Sequence, residues 1–510
     1  MTLKKQLAHN TAAQIIGKVI STLLGLVAIS ILTRYLGVEK FGWYGTTLGF
    51  LQFIAILIDF GLIPVTAQMM SEVPDSIKDE DTKGLASYRS KLFKNLLGFR
   101  FVTAVIGLGV APFIALLFPY PPEVKIAIAF TTISMLAVAI NQIFIGFYQS
   151  KLITHLQAVG EIIGRIVLIA GLLLCVYAKA NFLSVMWAII LSSVAYTIAL
   201  WIFTRKFSSP SFSFDFDIWK KITIKMWPIA LSIVFNVIYL RGDILILSFF
   251  RDQVEVGLYV AAYRVIDIVA QTAMMVMGLM LPLLAYAWSK GEDTKFKEHF
   301  QLSFNIMMMF AIPMSVALII LSKQIMTIVA GPEYAAAAIP LTLLSVAVFG
   351  VYFGAVFGHV AVAVNRQKET LPVYISSAII TLLLYFILVP RYGIIGAAIG
   401  SVFSEVFVGF FLYLVVKKYA KFSISLMVSA KALFASILMA LVLWLMNSTP
   451  YIFSLLSKTT MYVPSLTITK DLLLLLSVLS GASVYALTII LTKAVSPETI
   501  QDVLTLKKSS

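Results

Sequence analysis

The stretch LSVMWAIILSSVAYTIALWIFT, residues 183–204, runs for 22 residues without a charged side chain. At about 1.5 Å per residue, a helix of that length covers roughly 33 Å, a little more than the ~30 Å hydrocarbon core of a bilayer. Thirteen further stretches read the same way, near 11–33, 44–70, 92–118, 126–149, 156–177, 224–250, 256–285, 301–321, 336–364, 371–389, 394–416, 426–446 and 471–492. Backbone amides in hydrocarbon find partners only inside a helix or a closed barrel, and a barrel would show short alternating segments instead. The expected fold is therefore all-α: a polytopic membrane protein of about 14 transmembrane helices. Composition agrees, with 60% hydrophobic and only 12% charged residues, against about a quarter charged in soluble domains.

If the N-terminus lies in the cytoplasm, 25 of the 39 Lys and Arg fall on the cytoplasmic side, 9 outside and 5 within spans. That excess places both termini in the cytoplasm under the positive-inside rule. Topology and anionic lipid then account for the net charge of +15, and no nucleic-acid partner is implied. The first span reads as retained rather than as a cleaved signal, because no small-residue cleavage site precedes a soluble domain. Cys175 is the single cysteine, which excludes an intrachain disulfide and any CxxC metal or redox motif. No His/Asp/Glu cluster has metal-ligand spacing, and no cofactor is expected.

Similarity between the halves recurs at a steady offset. Gly42-Trp43-Tyr44 matches Gly257-Leu258-Tyr259 at 215, and Thr154 matches Thr370 at 216. Six spans repeated once enter the membrane from the same side, so the repeats are parallel. The expected organisation is an N-lobe of helices 1–6 (residues 1–206), a C-lobe of helices 7–12 (207–419), and two added helices with a tail (420–510), the lobes flanking a central cavity. Interior prolines, among them Pro64, Pro228, Pro282 and Pro313, are expected to kink or break their helices.

Ten charged residues fall inside spans: Lys18, Asp59, Arg100, Glu161, Arg165, Arg241, Asp243, Arg264, Asp267 and Glu405. Facing lipid, they would cost roughly 2.5–3.5 kcal/mol each, so they are expected to meet water or one another. Glu161 and Arg165 are spaced i, i+4, and Arg264 and Asp267 i, i+3, so each pair can share a helix face. Lys18 and Arg100 have no partner on their own helices; snorkelling competes with a role as an anion site. Asp59 sits nearest the bilayer middle on the second span, where a proton or cation site competes with a structural role. His359 reads as a packing or hydrogen-bonding residue.

Asn10, Leu32-Thr33-Arg34-Tyr35-Leu36-Gly37, Phe41-Gly42-Trp43-Tyr44 and Asp59-Phe60-Gly61-Leu62 together resemble the opening of bacterial and archaeal polysaccharide (O-antigen) flippases of the Wzx type. These belong to the multidrug/oligosaccharidyl-lipid/polysaccharide exporter superfamily. Asp243-Ile244-Leu245-Ile246-Leu247, Val256-Gly257-Leu258-Tyr259, Gly331-Pro332-Glu333-Tyr334 and Tyr392-Gly393-Ile394-Ile395-Gly396-Ala397-Ala398 extend the resemblance over nearly the whole chain. What it implies is a cytoplasmic-membrane flippase, not an enzyme, that carries a polyprenyl-pyrophosphate-linked oligosaccharide from the inner to the outer leaflet by alternating access, with H+ or Na+ as candidate coupling ions. Lys18 and Arg264 match positions thought to hold the pyrophosphate in related lipid II flippases. Lys18, Arg100, Arg165 and Arg264 are accordingly the expected anion contacts, and Asp59, Glu161 and Asp267 the expected gating or ion-coupling residues. Asp59 departs from the lipid II pattern, which argues against a peptidoglycan precursor as cargo.

Two other readings stand beside this one. A cation-coupled multidrug exporter of the same superfamily normally has 12 spans and an acid-rich cavity, whereas cations here are at least as numerous as acids inside the spans. A membrane glycan polymerase or ligase needs a catalytic outer loop, and the longest one, from about Asn447 to Lys470, contains no Asp, Glu or His. The topology is checked by fusing a reporter to the C-terminus: green fluorescent protein is expected to fluoresce there, and alkaline phosphatase to stay inactive.

Overall fold

Two glycines with positive φ set the longest helices of the chain. In the computed structural model α1 runs from Leu3 to Asp59 and bends at Gly37 (φ 68°, ψ 175°). Gly61 (φ 69°) then turns the chain into α2, Leu62–Ser71. The helices α3 (Thr82–Leu116), α4 (Pro122–Lys151), α5 (His155–Tyr177), α6 (Phe182–Thr204), α7 (Phe216–Phe250), α8 (Gln253–Ser289) and α9 (Asp293–Val329) follow. A 3-10 turn (Pro332–Ala337) precedes α10 (Ala338–Ala363). Next comes α11 (Gln367–Ala420), which bends at Gly393 (φ 55°). The chain ends with α12 (Met427–Ser448) and α13 (Leu466–Leu491).

The structure describes residues 3–59, 61–71, 82–151, 153–420, 422, 424–448 and 466–494, with backbone alone at 3–15, 56–59, 64, 82, 228–240, 448, 466–471 and 473. The side chain of Asp59 and most of the loop from Asn447 to Lys470 therefore lie outside the described residues.

Among the described residues the fold is all helix, and 11 helices are long and apolar enough to cross a membrane. The sequence reading differs from the structure at the prolines and agrees with it at two glycines. The expected gaps between 11–33 and 44–70 and between 371–389 and 394–416 hold the non-helical glycines Gly37 and Gly393, each of which joins two helices across a kink. The expected proline breaks do not occur at Pro282 and Pro313, through which α8 and α9 run without interruption. Pro64 lies in the first turn of α2, where a missing N–H leaves no helix bond unmade. Glycine suits these two kinks because φ 68° with ψ 175° at Gly37 and φ 55° with ψ −131° at Gly393 are combinations that a Cβ disfavours.

Element ends repeat along with the sequence. Shifting Gly37 by 215 gives position 252, the gap between α7 and α8; shifting Ala178, in the turn after α5, gives Gly393.

Contacts divide the chain into two compact units, Met1–Val260 with Ala378–Ala397, and Ala261–Ser377 with Ala398–Ser510. The core of the first is a ring-rich cluster that includes Leu62, Phe93, Leu97, Phe144, Phe147, Leu200 and Ile222, all fully or almost fully buried. Tyr148 joins it without a polar penalty: its hydroxyl donates to the Leu200 carbonyl (2.8 Å) and pairs with Thr204 (2.9 Å). Lys91 Nζ lies 2.7 Å from Asp215 Oδ2 at the start of α7 and holds that carboxyl below its usual range. In the second unit α9 packs on α10 and on α12. The Tyr485 hydroxyl of α13 donates to the Met309 carbonyl (2.7 Å), tying the last helix to α9. Large apolar side chains stay exposed on the helix surfaces, Phe113 and Leu116 among them, as suits a protein whose solvent is lipid.

The repeat also builds a contact with itself inside the first unit. A Cβ on Gly42 would collide with the Gln253 carbonyl, and one on Gly257 with the Val38 carbonyl. These are corresponding residues of the two repeats, so the two helices cross reciprocally at backbone contact. Gly45 against Val260 continues the crossing, Gly49 packs on Ile244 of the neighbouring α7, and Thr46 Oγ1 donates to Gln253 Oε1 at 2.7 Å. Crowding such a junction costs about 1–3 kcal/mol or more. Gly42→Val or Gly257→Val is expected to lower the thermal midpoint of the detergent-solubilised protein by several degrees, while Gly109→Ala, which meets nothing within 4 Å, leaves it unchanged or raises it.

Candidate functional site

Three small residues prepare one face of α1. Gly17, Ser21 and Gly25 are four apart, so they stack along a single stripe. Small residues let helices approach closely in lipid, and α5 lies against this stripe. The Gly17 backbone meets Ala158 so closely that an added Cβ would stand 2.5 Å from the Ala158 methyl. One turn further, Ser21 Oγ donates to Glu161 Oε1 at 2.7 Å. At the next turn the Arg165 guanidinium lies over Gly25, where an added Cβ would stand 3.7 Å from its Cζ.

Lys18, beside the stripe, completes the cluster. Its Nζ is 3.4 Å from Glu161 Oε1, and Arg165 Nη2 is 3.9 Å from the same oxygen. One carboxylate oxygen thus faces a hydroxyl, an ammonium and a guanidinium. The cluster carries two cations and one anion, an excess of one positive charge. Side-chain exposure is 37% for Lys18 and 40% for Arg165 but 20% for Glu161, so the cations keep open surface while the acid is more enclosed. Such an arrangement can take up an anion: backbone packing holds both cations in place, and no rearrangement of the helices is needed to bring them together.

The other sequence candidates sit as follows. Arg264 Nη1 and Asp267 Oδ2 are 3.5 Å apart on α8, as their spacing leads one to expect. Arg100 is only 1% exposed: its Nε donates to the Ala139 carbonyl (3.3 Å) and its Nη2 to Gln142 Oε1 (2.7 Å). It is committed to α4, neither snorkelled nor open to a ligand in this conformation. Asp243 is fully buried, and its Oδ2 accepts a 2.6 Å bond from the Tyr259 hydroxyl. Glu405 is buried with its backbone against Gly350. His359 Nδ1 lies 2.8 Å from the Ala355 carbonyl one turn earlier, a local hydrogen bond of the kind expected for it. Sequence reasoning missed Ser21, Gln142 and Tyr259. The Gly17-Ser21-Gly25 spacing was the available signal for Ser21, and the repeated Gly257-Leu258-Tyr259 run was one for Tyr259; Gln142 carries none. Among the described residues no group of three His, Cys, Asp or Glu could hold a metal ion.

The family model described as "Polysaccharide biosynthesis protein" matches residues 7–288, more than half of the chain and all of the α1–α5 cluster. The chain belongs to this family. Among curated proteins it is similar to a "Probable low-salt glycan biosynthesis flippase Agl15" of Haloferax volcanii, 27% identical over 162 residues, 32% of this chain and 34% of that one. It is also similar to a "Putative O-antigen transporter" of Shigella dysenteriae, 25% identical over 195 residues, 38% of this chain and 48% of the other. The matches thus span about a third to a half of those relatives' length. Among solved structures it shares its fold with the lipid II flippase MurJ in an inward closed conformation (TM-score 0.75, 16% identity, 94% and 98% of the two chains). An inward-facing MATE family multidrug transporter of the MOP superfamily shows the same fold at TM-score 0.65, 14% identity and 81% and 98% coverage. The named relatives are flippases and transporters, not enzymes.

The glycine over which Arg165 lies makes the geometry testable. Gly25→Leu is expected to displace the guanidinium while leaving the charge count unchanged, and so to weaken anion binding as far as Arg165→Gln does; titration of purified protein with a prenyl diphosphate checks this.

Proposed function

We propose that this protein flips a polyprenyl-pyrophosphate-linked oligosaccharide from the inner to the outer leaflet of the cytoplasmic membrane, for assembly of a cell-surface polysaccharide. The single observation that carries the reading is the net positive Lys18–Glu161–Arg165 cluster within membrane-spanning helices of a polysaccharide biosynthesis protein. A diphosphate is the charged part of such a cargo, and paired cations are what would hold it through the apolar layer.

In this reading Lys18, Arg165 and Arg264 contact the anion, and Asp59, Glu161 and Asp267 gate the cycle or couple it to H+ or Na+. Arg100 serves as an anion contact only in a conformation that releases it from Gln142. Residues 1–206 and 207–419 act as the two moving lobes, 420–510 add the last two helices, and both termini face the cytoplasm. The site opens alternately to either side of the membrane.

Energetics give a direction. Carrying two negative charges outward across an inside-negative membrane is favourable by roughly 4–5 kcal/mol per 100 mV. The potential alone can then drive export. The competing reading, a cation-coupled drug exporter, draws on the MATE-like fold; two cations for one acid in the cluster favour an anionic cargo over a cationic one.

The test is leaflet exchange of a fluorescent polyprenyl-diphosphoryl oligosaccharide in liposomes under an imposed potential. Wild-type protein is expected to support exchange that slows when the potential is collapsed, and Lys18→Ala or Arg264→Ala to reduce it by about tenfold or more. Full exchange without a potential would replace direct driving by ion antiport. No exchange, together with proton- or sodium-driven dye efflux, would establish the drug exporter instead.

A further inference from the structure

The two ends of α11 meet in a cluster of cations and aromatic rings. Arg366, one residue before α11, places its guanidinium carbon 4.6 Å from the centre of the Tyr419 ring near the other end of the helix. Lys418 Nζ lies 5.4 Å from the same ring, and Lys417 Nζ 5.7 Å from that of Tyr413. Asn365 turns the chain between α10 and α11 with a left-handed φ of 58°, a conformation asparagine adopts more readily than most residues. Glu369 accepts a 3.0 Å bond from Arg366 Nη1, so the cluster sets three cations against one acid. Among the described residues neither Lys417 nor Lys418 pairs with a carboxylate. All of these residues belong to the second unit, whereas Lys18, Glu161 and Arg165 belong to the first.

We infer that this cluster, with the exposed stripe of α11 that leads to it, binds one anionic phospholipid of the bilayer, its phosphate among Arg366, Lys417 and Lys418 and a chain along the stripe. Phe403, Phe407, Phe411, Leu414 and Lys418 recur at steps of three and four, which places them on one face of the helix. Ring centres stand 5.6 Å apart for Phe403 and Phe407 and 4.4 Å for Phe407 and Phe411. Phe411 and Leu414 stay 38% and 40% exposed, and Lys418 is exposed at the end of the row. From Phe403 to Leu414 the stripe covers roughly 16 Å, close to half of the ~30 Å hydrocarbon core and so to the depth of one leaflet.

Cations that merely snorkel reach toward the headgroups one at a time. Here Arg366 and Lys418 are drawn to a single ring, which brings like charges together; the ring attracts each of them but does nothing to their mutual repulsion. A phosphate beside them lowers that repulsion, and side chains already held against a ring lose little freedom when it binds. Glu369 occupies one guanidinium nitrogen of Arg366, and the remaining N–H groups can serve the phosphate. A zwitterionic headgroup brings its own ammonium up to the lysines, so the site favours a headgroup with net negative charge. Free phosphate gains nothing from the apolar row, whereas a phospholipid uses both the cations and the stripe.

The test is native mass spectrometry of the full-length protein titrated with dioleoyl phosphatidylglycerol or dioleoyl phosphatidylcholine, which share their chains and differ in headgroup charge. Wild type is expected to hold one phosphatidylglycerol about tenfold more tightly than phosphatidylcholine, since each cation beside an anionic headgroup contributes a factor of about five. Arg366→Gln combined with Lys418→Gln is expected to lose most of that preference. Lys290→Gln combined with Lys297→Gln removes the same charge from exposed positions around the start of α9 and should keep it. Tyr419→Leu leaves every charge in place but frees the cations, and should lower the preference at least several-fold, whereas Tyr419→Phe, which retains a ring, should not; this pair carries the test should the double variant at Arg366 and Lys418 not fold. Phe411→Ser should weaken both lipids alike. An equal loss in the Lys290 and Lys297 variant, or a full preference retained in Tyr419→Leu, would overturn the site in favour of diffuse surface charge. Displacement of the phosphatidylglycerol by stoichiometric prenyl diphosphate would make the cluster a cargo contact and overturn its assignment to a bilayer lipid, and displacement by inorganic phosphate would overturn the part given to the stripe.

Discussion

A peptide group in hydrocarbon has no water to bond to, and everything else in this chain follows from that constraint. Helix is imposed on almost every described residue, so the chain's freedom lies in where helices bend, how closely they approach and which side chains break the apolar pattern. Glycine governs the first two. Gly37 and Gly393 take backbone angles closed to other residues, while Gly17, Gly42 and Gly257 bring helix backbones into direct contact. Several of the charged side chains admitted under this regime have close partners: Arg100 on Gln142, Asp243 on Tyr259, Glu161 on Lys18, Ser21 and Arg165.

How far the sequence alone reached depends on the length scale of each interaction. Spans were legible because hydrophobicity is a local property summed over some 20 residues. The Arg264–Asp267 and Glu161–Arg165 pairs were legible because helical spacing places their partners within one turn. Lys18 and Glu161 lie 143 positions apart, and only tertiary packing joins them. The same holds for Arg100, whose burial against α4 depends on a neighbour 42 positions away. The proline expectation failed for a different reason. Proline was given weight for the bond it removes, yet α8 and α9 pass through Pro282 and Pro313 unbroken, whereas the kinked glycines Gly37 and Gly393 fall in the gaps that hydropathy marks between spans.

The charge cluster and the glycine crossing occupy opposite ends of α1. Lys18 and Ser21 lie before the bend at Gly37, Gly42 and Gly49 after it. One kinked element thus carries both the proposed anion contact and the Gly42 crossing, with a non-helical glycine between them. The geometry suits a cycle in which loading of the cluster and reorientation of the crossing are felt by the same element.

The reciprocity of that crossing has a further meaning. Gly42 meets Gln253 as Gly257 meets Val38, which is the pattern of an isologous dimer interface, in which one surface serves both partners. A six-helix protein bearing one such glycine would pair with its own copy through it. Fusion of two copies into one chain makes that pairing intramolecular, so that its strength no longer depends on how much protein the membrane contains. It also releases the two copies from identity: the contact keeps a glycine on both sides, while Lys18, Glu161 and Arg165 are free to appear on one side alone.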